Sequence, residues 1–219
     1  MIIDSHQHFW RYSADEYAWI GDDMKGIRRD FLPADLGREL AAAAVDGAVS
    51  VQARQTIAET QWLLDLAAEN TIIRGVVGWL RLADDAALDA DLQRFARHPK
   101  LKGVRHVVQD EPDDAFILGS AFNRGVSRLA EFDLVYDILI TARHLPNALR
   151  FVDRHPGQRF VVDHIAKPGI RHNLLEPWRT QLREMARRPN VWCKLSGVVT
   201  EADLSTWTPA QVRPFMEAA

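Results

Sequence analysis

Along the chain, short apolar runs rich in β-branched residues alternate with longer segments whose apolar positions recur at helical spacing. The first pattern reads as strand and the second as amphipathic helix. Strands are predicted at Met1–His8, Ala48–Ala53 (AVSVQA), Ile72–Leu80 (IIRGVVGWL), Leu101–Val108 (LKGVRHVV), Leu134–Ile140 (LVYDILI), Arg159–Ile165 (RFVVDHI) and Val191–Leu195 (VWCKL). Helices are predicted at Pro33–Val45, Ile57–Glu69, Ala86–Arg97, Ala121–Glu131, Pro146–Arg154 and Pro177–Arg187, with a seventh opening at Thr208 as N-cap and Pro209 as its first residue. Proline inside the start of the first helix and Gly47 beyond its end follow the asymmetry that helices prefer. Unbroken alternation of this kind argues a parallel α/β architecture, and strands apolar on both faces argue helices covering both. Neither G-x-G-x-x-G nor G-x-x-x-x-G-K-[ST] follows any strand, which disfavours the nucleotide-binding doubly wound folds. An eight-stranded barrel typically takes about 250 residues. Seven strands in 219 residues therefore predict a TIM-type (β/α) barrel lacking its eighth strand–helix unit, with an open seven-stranded sheet as the alternative. No linker or repeat divides the pattern, so one domain over residues 1–219 is expected.

Composition narrows the function classes. With 47% hydrophobic and 26% charged residues the chain can bury a sizeable core. A formal charge of −3 without a basic block gives no nucleic-acid surface. The single cysteine, Cys193, excludes an intrachain disulfide framework and fits a reducing compartment. The N-terminus lacks a signal-peptide pattern, and no apolar run reaches the roughly 20 residues that cross a bilayer. A cytoplasmic protein with no membrane partner is the expectation.

Candidate chemistry gathers at one end of the strands, where barrel enzymes carry their active residues. In IDSHQHFW (Ile3–Trp10), His6 and His8 are two apart and share a strand face with Asp4. Two neighbouring imidazoles bind a metal, work on a substrate or lie exposed by accident. Gln52 and Arg54 end the second strand, Arg105 and His106 fall late in the fourth, and Asp137 sits midway in the fifth. Asp163 and His164 fall late in the sixth, Lys167 follows in AKPG, and Lys194 and Ser196 close the seventh. Gln52 or Arg54 could equally be a solvated loop residue. Arg105 and His106 must face opposite sides, as must Asp163 and His164, and His164 could be a hydrogen-bonded core histidine. A buried Asp137 requires a partner, an arginine ion pair being the structural alternative. Cys193 is expected in the core. Three imidazoles, from His6, His8 and His164, would suit a divalent ion, with Zn²⁺ the natural choice for nitrogen donors. Without a metal, the same rings could hydrogen-bond a water or a carbonyl oxygen. Lys167, Lys194 and Arg105 would suit an anionic or hydroxyl-rich substrate or a developing oxyanion.

These motifs carry a resemblance. IDSHQHFW, VQAR, KGVRHVVQDE, YDILI, DHIAKP and CKLSGVVTEAD, in order, resemble the amidohydrolase superfamily. The branch resembled is that of metal-dependent TIM-barrel hydrolases, which includes L-fucono-lactonase-like and L-rhamnono-lactonase-like enzymes. The resemblance covers essentially the whole chain. It implies a hydrolase that opens the lactone ring of a small sugar-derived hydroxy acid by metal- or histidine-assisted attack of water. His6, His8 and His164 are implied as catalytic and metal-holding residues for one divalent ion. Lys194 is implied as a substrate contact, and Gln52, Arg105, His106, Asp137 and Lys167 are the further candidate substrate contacts. No lysine matches the bridging carbamate of binuclear relatives, and a homo-oligomer is a further possibility.

One departure follows. The resembled branch carries an aspartate in a G-S-D-W-P-like motif on its eighth strand, and these 219 residues contain no such motif. A chain belonging to a longer enzyme is expected, with a degenerate protein or a swapped assembly as alternatives. The competing function is a small-molecule binding protein that keeps the pocket without the chemistry.

Overall fold

The computed structural model describes residues 1–219. Seven strands and seven α-helices alternate: β1 (Ile3–Gln7), α1 (Pro33–Ala42), β2 (Gly47–Val51), α2 (Ile57–Glu69), β3 (Ile73–Gly78), α3 (Asp85–Phe95), β4 (Leu101–Val107), α4 (Ser120–Leu129), β5 (Val135–Leu139), α5 (Leu145–Asp153), β6 (Phe160–Val162), α6 (Trp178–Met185), β7 (Val191–Cys193) and α7 (Pro209–Ala218). The strands follow chain order in the sheet. The pairs β1–β2, β2–β3, β3–β4, β5–β6 and β6–β7 are all parallel. This is the (β/α) barrel class with seven strand–helix units and no eighth. No helix is long and apolar enough to cross a membrane.

The chain packs as two compact units, Met1–Leu80 with Asp91–Arg105, and Arg81–Ala90 with His106–Ala219. In the first, Ala48 and Val51 of β2 and Ile73, Val76 and Val77 of β3 are buried, as are Leu63 and Leu64 of α2. Helix starts here follow local chemistry. Pro33 opens α1 while the Asp35 carboxylate accepts the Leu32 N–H at 3.0 Å. Thr56 caps α2, its hydroxyl accepting the Glu59 N–H at 3.2 Å. A separate cluster of Trp10, Tyr17 and Ile20 closes the loop after β1.

The second unit is built on aromatic packing. Phe122, Tyr136, Phe151 and Phe160 meet at ring centroid separations of 5.3–6.3 Å, and the Trp178 indole donates to the Ile165 carbonyl at 2.6 Å. Two expectations change in this unit. The sixth strand ends at Val162, because His164, Ile165, Ala166 and Lys167 all adopt positive φ between 45° and 57°. A tight left-handed turn therefore stands where strand was expected to continue. Cys193 is exposed instead of lying in the core. In this unit β7 pairs with β6, and the consecutive residues Trp192 and Cys193 are both exposed.

Candidate active site

In the first unit, His6 and His8 stand at the C-terminal end of β1, where the β1–β2 register shifts between Asp4 and Gln7. Their Nε2 atoms lie 3.1 Å apart. His8 Nδ1 is 2.8 Å from the Val51 carbonyl oxygen, which can only accept, so Nδ1 carries the proton and Nε2 the lone pair. The Arg105 guanidinium, a pure donor, is 3.4 Å from His6 Nε2. The Nε2–Nε2 separation is close to the one that ligands sharing a tetrahedral zinc would have, about 3.3 Å for Zn–N bonds of 2.0–2.1 Å. The donor set fits a divalent ion. A carbonyl bond orienting the non-ligating nitrogen is also the support that metal-binding histidines ordinarily have.

Arg105 is itself clamped. One of its nitrogens donates to the Gln52 main-chain oxygen and, at 2.9 Å, to Gln52 Oε1. Just beyond Gln52, the fully buried Glu59 carboxylate accepts N–H bonds from Ala53 at 3.1 Å and Arg54 at 2.8 Å. Burial pushes the Glu59 carboxyl up to about 7, outweighing those bonds and the nearby arginines. Arg54 pairs outward with Glu16 and lies over the Tyr17 ring.

In the second unit, Lys194 follows β7 and its ammonium contacts Asp137 and, at 2.9 Å, Asp163. His164 Nδ1 bonds Ser196 Oγ at 2.8 Å. The ring lies against Gly197, whose φ is +64°; a Cβ there would stand 2.8 Å from His164 Nδ1, so glycine is required on both counts. Lys167 sits in the left-handed turn, half-buried, and its charge opposes the burial that raises the Glu201 carboxyl.

The neighbours Arg105 and His106 diverge as alternation requires. Arg105 joins Gln52 and His6, whereas His106 bonds Glu111 at 2.6 Å and stacks on Phe116 at 5.0 Å. Burial there holds the imidazole below its usual value. Glu59 and Glu111, neighbours of these candidate residues, were not singled out by the sequence reading. Thr56-x-x-Glu59 has the form of a capping box, which was a usable signal for Glu59. The box would send that carboxylate back to Thr56, however, and it reaches Ala53 and Arg54 instead.

The amidohydrolase family profile matches residues 3–219. The chain belongs to the amidohydrolase family. It is 44% identical over 209 residues to an L-fucono-1,5-lactonase of Burkholderia multivorans, covering 92% of this chain and 69% of that protein. A second L-fucono-1,5-lactonase, from Burkholderia ambifaria, is 41% identical over 200 residues, with 91% and 69% covered. Among solved structures, a zinc-bound amidohydrolase from Burkholderia multivorans superposes with a TM-score of 0.92 at 43% identity. It covers 99% of this amidohydrolase and 77% of its own chain. A crystal form with bound HEPES gives 0.95 at 41%, covering 100% and 79%.

Proposed function

We propose that this amidohydrolase opens the lactone ring of a small sugar-derived hydroxy acid, with L-fucono-1,5-lactone the first substrate to test. The observation that carries the reading is the His6–His8 pair, its two Nε2 atoms 3.1 Å apart, in a chain 44% identical to a protein of that activity. In this reading His6, His8 and His164 hold one divalent ion, zinc by its preference for nitrogen. When bound, such an ion lowers the pKa of its water towards about 7 and polarises a carbonyl.

The chain's own groups would do the rest. The bond between His164 Nδ1 and Ser196 Oγ would orient the ring, and in the tautomer with the proton on Nδ1 the lone pair that a ligand needs is on Nε2. Arg105 and Lys194 are fixed cations on buried partners. They would stabilise the oxyanion that forms when water adds to the lactone carbonyl. Lys167 would bind substrate hydroxyl or carboxylate. Ring opening then requires a proton on the leaving alkoxide, and the proton released by the attacking water supplies it.

The test is hydrolysis of L-fucono-1,5-lactone and a panel of sugar lactones, followed by acid release. Parent and His164→Asn are compared, each supplemented with zinc and each stripped by chelator. Turnover by the zinc-supplemented parent, lost on chelation and reduced about 10²–10⁴-fold by His164→Asn, is expected. A parent no faster than His164→Asn on every lactone overturns the proposal.

A further inference from the structure

Ser50 and Gln52 are two residues apart on β2 and the residue beyond it, so they project to the same face, and both are fully buried. Each carries a donor with no hydrogen-bond partner, the Ser50 hydroxyl and the Gln52 Nε2 amide. A buried polar group left in this state is costly, and native proteins seldom leave one unless it serves a purpose. The orientation of the Gln52 amide is set by its surroundings. Arg105 offers only donors, so the atom facing it is Oε1, and Nε2 with its two hydrogens points away. The backbone is held as firmly. Arg105 also takes the Gln52 main-chain carbonyl, and Glu59 fastens the next two N–H groups, of Ala53 and Arg54. The same Arg105 reaches His6, so the amide is built into the cluster that carries the histidine pair.

We infer that the Gln52 carboxamide is a specificity-determining donor, presenting N–H to a ring or hydroxyl oxygen of the bound sugar lactone, with the Ser50 hydroxyl as a second donor below it. The inference rests on the proposed lactone hydrolysis and deepens it by assigning the substrate an acceptor oxygen at this position. An amide held in one rotamer before the ligand arrives spends little entropy on binding. It also discriminates strongly against an analogue lacking the oxygen, because the amide would then stay unpaired.

Gln52→Glu and Gln52→Met separate this role from simple support of Arg105. Glutamate keeps an acceptor for Arg105 and removes the NH₂ donor, whereas methionine removes both. Both variants are expected to lower kcat/KM for L-fucono-1,5-lactone by about ten- to a hundredfold, with circular dichroism and melting showing both folded. Gln52→Glu at parental kcat/KM, with Gln52→Met impaired, would show that Arg105 support is the whole role and overturn the inference. A second readout needs no turnover. The Gln52 side-chain NH₂ signals, assigned by their loss in Gln52→Glu, are followed by ¹⁵N NMR during titration with L-fuconate, the ring-opened acid. A saturable shift is expected, and unmoved signals overturn the inference whatever the kinetics show. Shifted signals in a protein that opens no lactone would leave the inference standing and overturn the proposed function.

Discussion

The Lys194 ammonium, between the carboxylates of Asp137 and Asp163, belongs to a set of charges in which no member is more than 8% exposed. Charges withdrawn from water this far depend on one another, and removing one partner from a buried pair typically costs about 3–5 kcal/mol. Lys194→Met is therefore expected to lower unfolding stability by that order in urea titration. Adding Asp137→Asn should recover part of the loss, since one of the stranded carboxylates is then neutral. If Lys194→Met matched the parent, the cluster would be tolerating two buried carboxylates without this cation. The need for a partner at Asp137 was legible, because a carboxylate in the apolar run LVYDILI must be neutralised or hydrogen-bonded. Its identity was not. An arginine was the structural alternative, and the partner is a lysine 57 residues further along the chain. No local pattern encodes a pairing at that separation.

At the scale of elements, the alternation of strand and helix was readable because parallel strands covered by helices appear as unbroken apolar runs. Ile57–Glu69 and the Thr208–Pro209 start of α7 were placed from capping and period alone. The turn after β6 was hidden for a physical reason. Left-handed backbone is ordinarily announced by glycine or asparagine, and here His164, Ile165, Ala166 and Lys167 adopt it without either. Tertiary contacts, such as the Trp178 indole on the Ile165 carbonyl, hold what local preference opposes. The link from α2 to the end of β2 through Glu59 gives a pH-dependent expectation. Its carboxyl lies at about 7 in the folded protein against an ordinary value of 4.5. Between those two values the folded state holds more protons than the unfolded chain, so this group's contribution to stability falls as pH rises through the window. The loss is on the order of 3 kcal/mol and is complete above about pH 7. Glu59→Gln cannot ionise, so the difference in urea midpoint between pH 4.5 and pH 7.5 should shrink in that variant relative to the parent. Parallel pH profiles for the two proteins would show that Glu59 is already ionised throughout that range.

For the molecule as a whole, the features that positioned the candidate site were legible as a joint pattern, with polar residues recurring at one end of successive apolar strands. Which side chains the surface exposes was not legible, because exposure depends on which neighbours each strand finally has. In the second unit β7 pairs only with β6, and Trp192 and Leu195 are 54% and 55% exposed. Val199, Trp207 and Met216 add apolar surface beside Leu195, lining one groove with it. Unpaired N–H and C=O groups next to large apolar side chains are a template for pairing with another chain. A net charge of −3 supplies little repulsion against it. The 219-residue chain is accordingly expected to self-associate as its concentration rises, read as an increasing weight-average sedimentation coefficient. Trp192→Lys combined with Leu195→Lys should shift the distribution towards monomer with circular dichroism unchanged. The substituted side chains are already exposed, and lysine on an edge strand obstructs further pairing. A parent that sediments as a monomer at every concentration would show that this edge is protected by its own twist and shortness.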